Sequence, residues 1–349
     1  MAKKLIEVLE EGREYDLAIR YAQRLLRSTD KLDRLIAAAE QELLKLDEKP
    51  ARALKREADP VKSVQARLEK GEGLADDIFK PLGHLRGDLG IAHTRYKTYG
   101  GGGTNNAQPF YDPVTAMSLA HNGHITNVRQ IEAELVGRSQ ALAADCDGEA
   151  LLRVFSLWAE HHRRLDPAAA EKEILFRAVA EVQNRVTGAF SVVVVTRDGL
   201  FAFRDPHGFR PMVLGRRSRK GREAVMIASE TLALEQNGFE LGGDIPHGGA
   251  LFVDRDLDVD DRVVIQKDSR PCAFELIYFA DVESKMMRDN IRSYRLRAGR
   301  TLAMHLLERV PDVVRAIDLV VPIPHSPIPG AEAFARKLEK ELEKSALQY

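Results

Sequence analysis

Residues 188–205, GAFSVVVVTRDGLFAFRD, constrain the fold of this 349-residue chain more than any other stretch. Two runs rich in Val and Phe flank Asp198-Gly199, a dipeptide suited to a tight hairpin turn. Such a hairpin calls for a surrounding sheet with further layers packed over it. More strand signals appear at 116–123, 210–217, 224–230 and 249–266, the first read as ending in a tight turn at Asn122-Gly123. Helical patterns stand between and beside them at 151–162 and 230–238, the second closing at Gly238. The combination predicts layered α+β packing.

The two ends have a different texture. Residues 13–60 are rich in Leu, Ala, Glu, Lys and Arg, with Leu32, Leu35, Ile36, Ala39, Leu43 and Leu46 at helical spacing. Ser28, Thr29 and Asp30 suit a cap between two helices, and Pro50 and Pro60 break the helical pattern beyond Leu46. This predicts a helical extension over 1–60, either a hairpin packed on the body or an arm for a partner. The stretch 61–73 reads as a strand and turn, and 73–85 as a short helix. Residues 286–310 read as a long helix, 317–324 as a buried parallel strand and 330–344 as a final helix. That makes a single βα unit, which reads as a truncated domain. The expected division is 1–60, 61–270 and 271–349.

Bulk properties exclude several classes. Net charge is −1, which gives no general attraction for nucleic acid or membrane surfaces. Cys146 and Cys272 are the two cysteines, too few for a disulfide framework, and they fit a reducing cytosol. No apolar run is long enough for a membrane helix, and the acidic residues after Lys3-Lys4 do not suit a signal peptide. A cytoplasmic protein is expected.

From about Gly71 to Ala335 the chain resembles the amidophosphoribosyltransferases. The matching segments are GLADDIF, GIAHTRYKT, NAQPF, LAHNGHITN, DCDGE, GAFSVVVV, FRDPHGFRPMVLG, ASETLAL, CAFELIYFADVES and VVPIPHS, in that order. The resemblance implies a class II glutamine amidotransferase of the N-terminal-nucleophile (Ntn) type, a four-layer αββα sandwich. It also implies a phosphoribosyltransferase-like α/β unit after it, here incomplete.

By the same resemblance, Arg95 binds the glutamine α-carboxylate, which suits a guanidinium fork, and Asp147 binds the α-ammonium group. Asn122 and Gly123 correspond to the oxyanion hole, one donor from a side chain and one from the backbone. Taken without the family, Asp147 reads as an N-cap of a helix starting near Gly148, and Asn122-Gly123 as an ordinary turn. The segment 96–104, YKTYGGGGT, matches a loop that closes over bound glutamine. Lys97 and Tyr99 stand where the family has smaller residues.

Other family parts are missing. The enzyme class uses an N-terminal cysteine as nucleophile, with its own amine as base. In this sequence no cysteine precedes Cys146. Cys146 itself reads as a small apolar residue at a helix start, and Ser63 would need cleavage at an unmarked site. No acidic pair followed by a Gly/Thr phosphate loop occurs. Val259–Arg262, VDDR, reads as a turn, and His325 stands where an acidic residue is usual.

Cys272 matches a cluster-ligand position but lacks companions. His121 and His124 lack a third metal ligand. His161-His162 reads as solvated, and the basic run 216–222 as a hairpin tip. No metal and no cofactor is expected, magnesium belonging only to a complete transferase domain.

The functional expectation is a glutamine amidotransferase type 2 domain related to purine synthesis, with glutamine binding retained and catalysis lost. The alternatives are a glutamine-sensing or scaffolding pseudoenzyme and a truncated or recombined fragment. The expected partners are L-glutamine and a second copy of the chain or a full-length family enzyme, with neither nucleic acid nor membrane.

Overall fold

The computed structural model describes residues 4–6, 68–71, 87–95, 103–138, 140, 142–219, 221–287, 289–323, 325–339 and 341–342. The helical patterns of 13–60 and 73–85, Ser63, Lys97, Tyr99 and Gly100–Gly102 of the glycine loop lie outside these residues. Contacts divide the chain into two compact units, Met1–Gly87 and Asp88–Tyr349. In the first, β1 (Lys4–Ile6) pairs antiparallel with β2 (Leu68–Lys70).

The second unit is mixed α/β with antiparallel sheets. In chain order it begins with β3 (Phe110–Asp112), β4 (Met117–Ile125), α1 (Val128–Gly137), α2 (Asp147–Leu165) and α3 (Glu171–Arg185). There follow β5 (Gly188–Val195), β6 (Gly199–Arg204), β7 (Val213–Arg219), β8 (Arg222–Ala228), α4 (Thr231–Gln236), β9 (Glu240–Asp244), β10 (Gly249–Asp254) and β11 (Val259–Val263). Six strands form one sheet in the order β11-β10-β6-β5-β4-β3, and three form another in the order β8-β7-β9.

The hairpin read from 188–205 is present. Val195 pairs with Leu200, and Thr196 Oγ1 accepts from the Asp198 and Gly199 N–H groups to fix the turn. Alternate side chains of β5 then serve two cores, as a pleated strand with period two requires. Phe190, Val192 and Val194 join Phe155, Phe201, Phe203, Leu151 and Leu175 beneath α2 and α3. Phe155 is fully buried, its ring 5.5 Å from that of Phe203 and 5.9 Å from that of Phe201. Val193 faces the other way, into a cluster of Met212, Ile245, Leu251 and Val253 shared with the three-stranded sheet. A Cβ on Gly215 of β7 would lie 3.0 Å from the Leu234 side chain of α4, which places α4 against this smaller sheet.

Several local readings change. Asn122 and Gly123 form no turn: β4 runs through them, pairing with Ser191 and Phe190 of β5. The chain turns later, at Thr126-Asn127, where the Asn127 side chain bonds Arg185 O and Thr187 N–H. VDDR is strand β11, held along its length by β10 from Val253↔Val259 to Gly249↔Val263. His162 is not simply solvated: its Nε2 is buried and its ring lies against Trp158 and His161, while His161 is exposed.

Beyond β11, Glu275–Phe279 forms a π-helical turn, and β12 (Lys285–Met286) pairs with β13 (Asp289–Asn290). The long helix therefore begins later than its sequence pattern. It is α5 (Ile291–Arg309), capped by the Asn290 side chain accepting from Ser293 N–H. α6 (Pro311–Arg315), β14 (Leu319–Val320), α7 (Ile328–Leu338) and β15 (Glu341–Leu342) complete the described chain. β14 is parallel to its partner β15, but it is not buried: Leu319, Val321 and Ile323 are exposed. The final helix stops at Leu338 because Glu339 is left-handed, with φ 56°, and β15 falls within the stretch read as helix.

Candidate functional site

The site is built on one edge of β4. Backbone N–H and C=O groups of successive strand residues point alternately to the two neighbours. β5 lies on one side of β4, and β3 on the other only as far as the pair Phe110↔Leu119. Past Leu119 no strand lies on this side among the described residues, yet two of its donors are satisfied by side chains. Gln108 Oε1 accepts from the His121 N–H at 2.6 Å, while Gln108 Nε2 donates to His121 O at 3.2 Å. Asp147 Oδ2 accepts from the Ile125 N–H at 3.0 Å.

Gly123 lies between these two caps, and alternation directs its N–H to the same side. Its partner across β5, Phe190, confirms the parity: Phe190 N–H and C=O both go to Asp205, on the β6 side. A side chain at 123 is excluded, because a Cβ there would lie 1.9 Å from Ala189 O.

Asp147 opens α2, with Cys146 as N-cap residue. The carboxylate does not cap its own helix. It reaches across to β4 and pins the helix start to the strand edge, where burial makes an unpaired N–H costly. His121 Nε2 lies 3.5 Å and His124 Nδ1 3.9 Å from Asp147 Oδ2. The His121 contact lacks hydrogen-bond geometry, so its buried Nε2 has no hydrogen bond. Burial opposes ionisation of Asp147, but His121, the Ile125 N–H and Cys146 together hold its carboxyl below the ordinary range.

Arg95 and His93 join this group through the segment 87–95. His93 is pushed down to about 4, mainly by burial and then by the neighbouring His121 and Arg95, against a hydrogen bond with the His121 backbone. Burial raises the Cys146 thiol, the Gly148 N–H opposes this, Asp147 adds to it and Arg95 opposes it. Cys146 Sγ donates to Asp147 Oδ1 at 3.6 Å, and this contact and the carboxylate's charge raise the thiol instead of activating it. The loops around Asp147 are fixed by further polar contacts: Asn106 Oδ1 accepts from Asp145 N–H, and Glu149 Oε2 from Ala143 and Ala144 N–H.

The structure thus brings Asp147 to the edge of β4 that carries Gly123, with Arg95 near enough to His93 and Cys146 to act on both. Asn122 is adjacent, but its side chain shares the opposite face of β4 with Ser191. His121, His124 and Asp147 converge, yet among the described residues no group of three His, Cys, Asp or Glu side chains is placed to hold a metal. Gln108 was not foreseen as a site part, its only sequence signal being membership of the matched NAQPF segment, and in the sequence His121 reads only as half of an incomplete metal pair.

A cavity of about 240 Å³ lies elsewhere, lined by Arg204, Phe209, Asp244, His247, Glu275 and Met286 among others. Two of its charged groups are already engaged: Glu275 accepts from Arg210, and Arg204 donates to the carbonyls of Gly208, Arg210 and Ile245. The β4 edge is the better candidate because a backbone donor, a carboxylate and a guanidinium converge there.

Residues 93–236 match the family model described as a glutamine amidotransferase domain. That match gives the chain a glutamine amidotransferase domain, and the matched stretch runs from His93 through the β4 edge to the end of α4. Amidophosphoribosyltransferases of Pasteurella multocida and Escherichia coli are each 33% identical over 78% of this chain and 55% of their own length. That of Pseudomonas aeruginosa is 35% identical over 78% of this chain and 54% of its own. The chain is thus similar to the amidophosphoribosyltransferases over most of its own length, and spans about half the length of the curated relatives it matches.

Two solved structures share the fold at 24% identity. One is the glutamine phosphoribosylpyrophosphate amidotransferase of B. subtilis complexed with ADP and GMP, with a TM-score of 0.57 over 72% of this chain and 50% of that one. The other is described as the allosteric regulatory enzyme of purine biosynthesis, with a TM-score of 0.58 over 74% and 53%. Among the described residues no helix is long and apolar enough to cross a membrane.

Proposed function

We propose that this protein binds L-glutamine at the β4 edge through an Ntn-type amidotransferase domain, and does not hydrolyse it. The observation that carries the reading is the Gly123 N–H, set between two capped neighbours and beside Asp147. A free amino acid offers three groups to this place. Its ammonium suits Asp147, an acid whose ionised form is favoured. Its carboxylate suits the Arg95 fork. Its side-chain carbonyl suits a strand-edge donor, with the Asn122 amide as the second donor if its side chain turns toward the ligand.

The family relationship supports glutamine as the amino acid. Catalysis needs a thiolate or an equivalent nucleophile. The thiol at this place, Cys146, is buried, raised by its surroundings and turned toward Asp147. A glutamine sensor or a scaffold for a complete family enzyme is the role that fits.

Calorimetric titration with L-glutamine tests the binding, with Arg95→Ala and Asp147→Asn as controls. Saturable binding lost in both variants is expected, and an ammonia assay on the same protein is expected to read background. Absence of binding by folded protein refutes the site. Ammonia release that disappears in Cys146→Ala refutes the loss of catalysis.

A further inference from the structure

The β3–β4 ladder poses a question that glutamine binding does not answer: what holds β4 straight after its neighbour ends? Phe110↔Leu119 and Asp112↔Met117 set the register, and the next residues on that side are 108 and 121. Pro109 lies between and has no N–H to give. The Gln108 side chain takes over there. Its amide carries an acceptor and a donor group side by side, so it can meet the N–H and the C=O of one facing residue together. It engages both His121 backbone groups, the N–H at 2.6 Å and the carbonyl at 3.2 Å, as one more ladder rung. Gln108 is itself buried, at 7% exposure, so these bonds are shielded from water.

The rung ends at His121, and the next cap, Asp147 on Ile125, begins two residues beyond Gly123. Gln108 and Asp147 therefore hold β4 on either side of the one donor they leave to a ligand. Losing the Gln108 rung frees residues 121–123 to twist, which moves the Gly123 N–H but not Arg95 or Asp147.

We propose that Gln108 is a positioning residue that aims the Gly123 N–H at the side-chain carbonyl of a bound amino acid. It sets selectivity for a carbonyl-bearing side chain without touching the ligand. The inference rests on glutamine binding at the β4 edge, and a pair of ligands separates the two.

L-Glutamine and L-norvaline share the carboxylate, the ammonium and three side-chain carbons, but norvaline has no carbonyl. Both are titrated calorimetrically into wild type and into Gln108→Met, which keeps the volume and removes both backbone bonds and the 3.4 Å contact of Oε1 with His121 Nδ1. Wild type is expected to prefer glutamine by about tenfold, in keeping with one or two hydrogen bonds. In Gln108→Met that preference is expected to fall by about three- to tenfold, with norvaline affinity unchanged.

A parallel loss for both ligands marks Gln108 as merely structural and overturns the proposal, as does an unchanged preference. Wild type that binds norvaline and glutamine alike removes the Gly123 contact and overturns it too. Wild type that binds neither ligand refutes glutamine binding, and the inference with it. If Gln108→Met does not fold, Gln108→Glu keeps an acceptor for the His121 N–H and is read by the same ratio. A smaller loss of preference is expected there, and no loss overturns the proposal.

Discussion

Acid should destabilise this protein well before its carboxylates are protonated, and His93 is the reason. The ring is held down to about 4, mainly by burial and further by its neighbours His121 and Arg95, whereas an unfolded histidine takes a proton near 6.5. Between these values the unfolded chain binds a proton that the folded chain refuses. The neutral, half-buried His93 therefore contributes its full stability above about pH 6.5, and that contribution drains away as the pH falls toward 4.

Over the whole interval the loss reaches about 3 kcal/mol, which is a sizeable part of a typical domain's stability of about 5–15 kcal/mol. The groups around this place are Arg95 on its own segment, His121 and His124 on β4, Cys146 as the N-cap of α2 and Asp147 at its first position. Asp147 works in a separate window. Its carboxyl is held below the ordinary 3.8, so the stability it supplies is present above that value and is lost only at lower pH.

The assay is urea denaturation at pH 7.0, 6.0, 5.0 and 4.5 for wild type and His93→Gln. The variant should lose stability with a shallower slope, by up to about 1.4 kcal/mol per pH unit between 6 and 4.5. Equal slopes would refute the reasoning, because they would mean that His93 takes its proton as readily folded as unfolded.

Three further outcomes are expected from the packing. Asp147→Ala leaves the buried Ile125 N–H without an acceptor and should cost about 1–3 kcal/mol, whereas Asp147→Asn keeps an acceptor and should cost less; denaturation curves compare the two. Phe155→Ala removes a fully buried ring stacked among Phe201 and Phe203 and should cost about 3–5 kcal/mol in the same assay. Gly299→Ala places a Cβ 1.9 Å from Gly330 O, so α5 and α7 must part, and hydrogen exchange should show faster opening of these two helices than in wild type.

Much of the architecture was legible locally. Residues 188–205 announce a hairpin because turn chemistry and apolar run lie side by side in the chain, and β5 and β6 appear where that pattern puts them. Gly238 ends α4 as expected, with φ 71° and its N–H on Glu235 O. Asn122-Gly123 misled for the same reason that Asp198-Gly199 did not. A dipeptide favours a turn, but β5 offers both residues a strand partner, and pairing over the length of β4 outweighs a local preference. Val259–Arg262 was misread similarly: its acidic residues resemble a turn until β10 lies beside them. The apolar 317–324 run suggested burial, which depends on what covers a strand and not on its composition.

By itself the sequence determined the family resemblance, the hairpin at the centre of the sheet and the residue types suited to an amino acid: a guanidinium, a carboxylate and an Asn-Gly pair. Those are properties of residues and of short spacings. Only the tertiary structure decided that Asp147 serves β4 and not its own helix, that Gln108 stands in for a strand, and that the Gly123 N–H is left between them. Hydrogen-bond partners so far apart in the chain are chosen by the sheet register, and no window of sequence contains it.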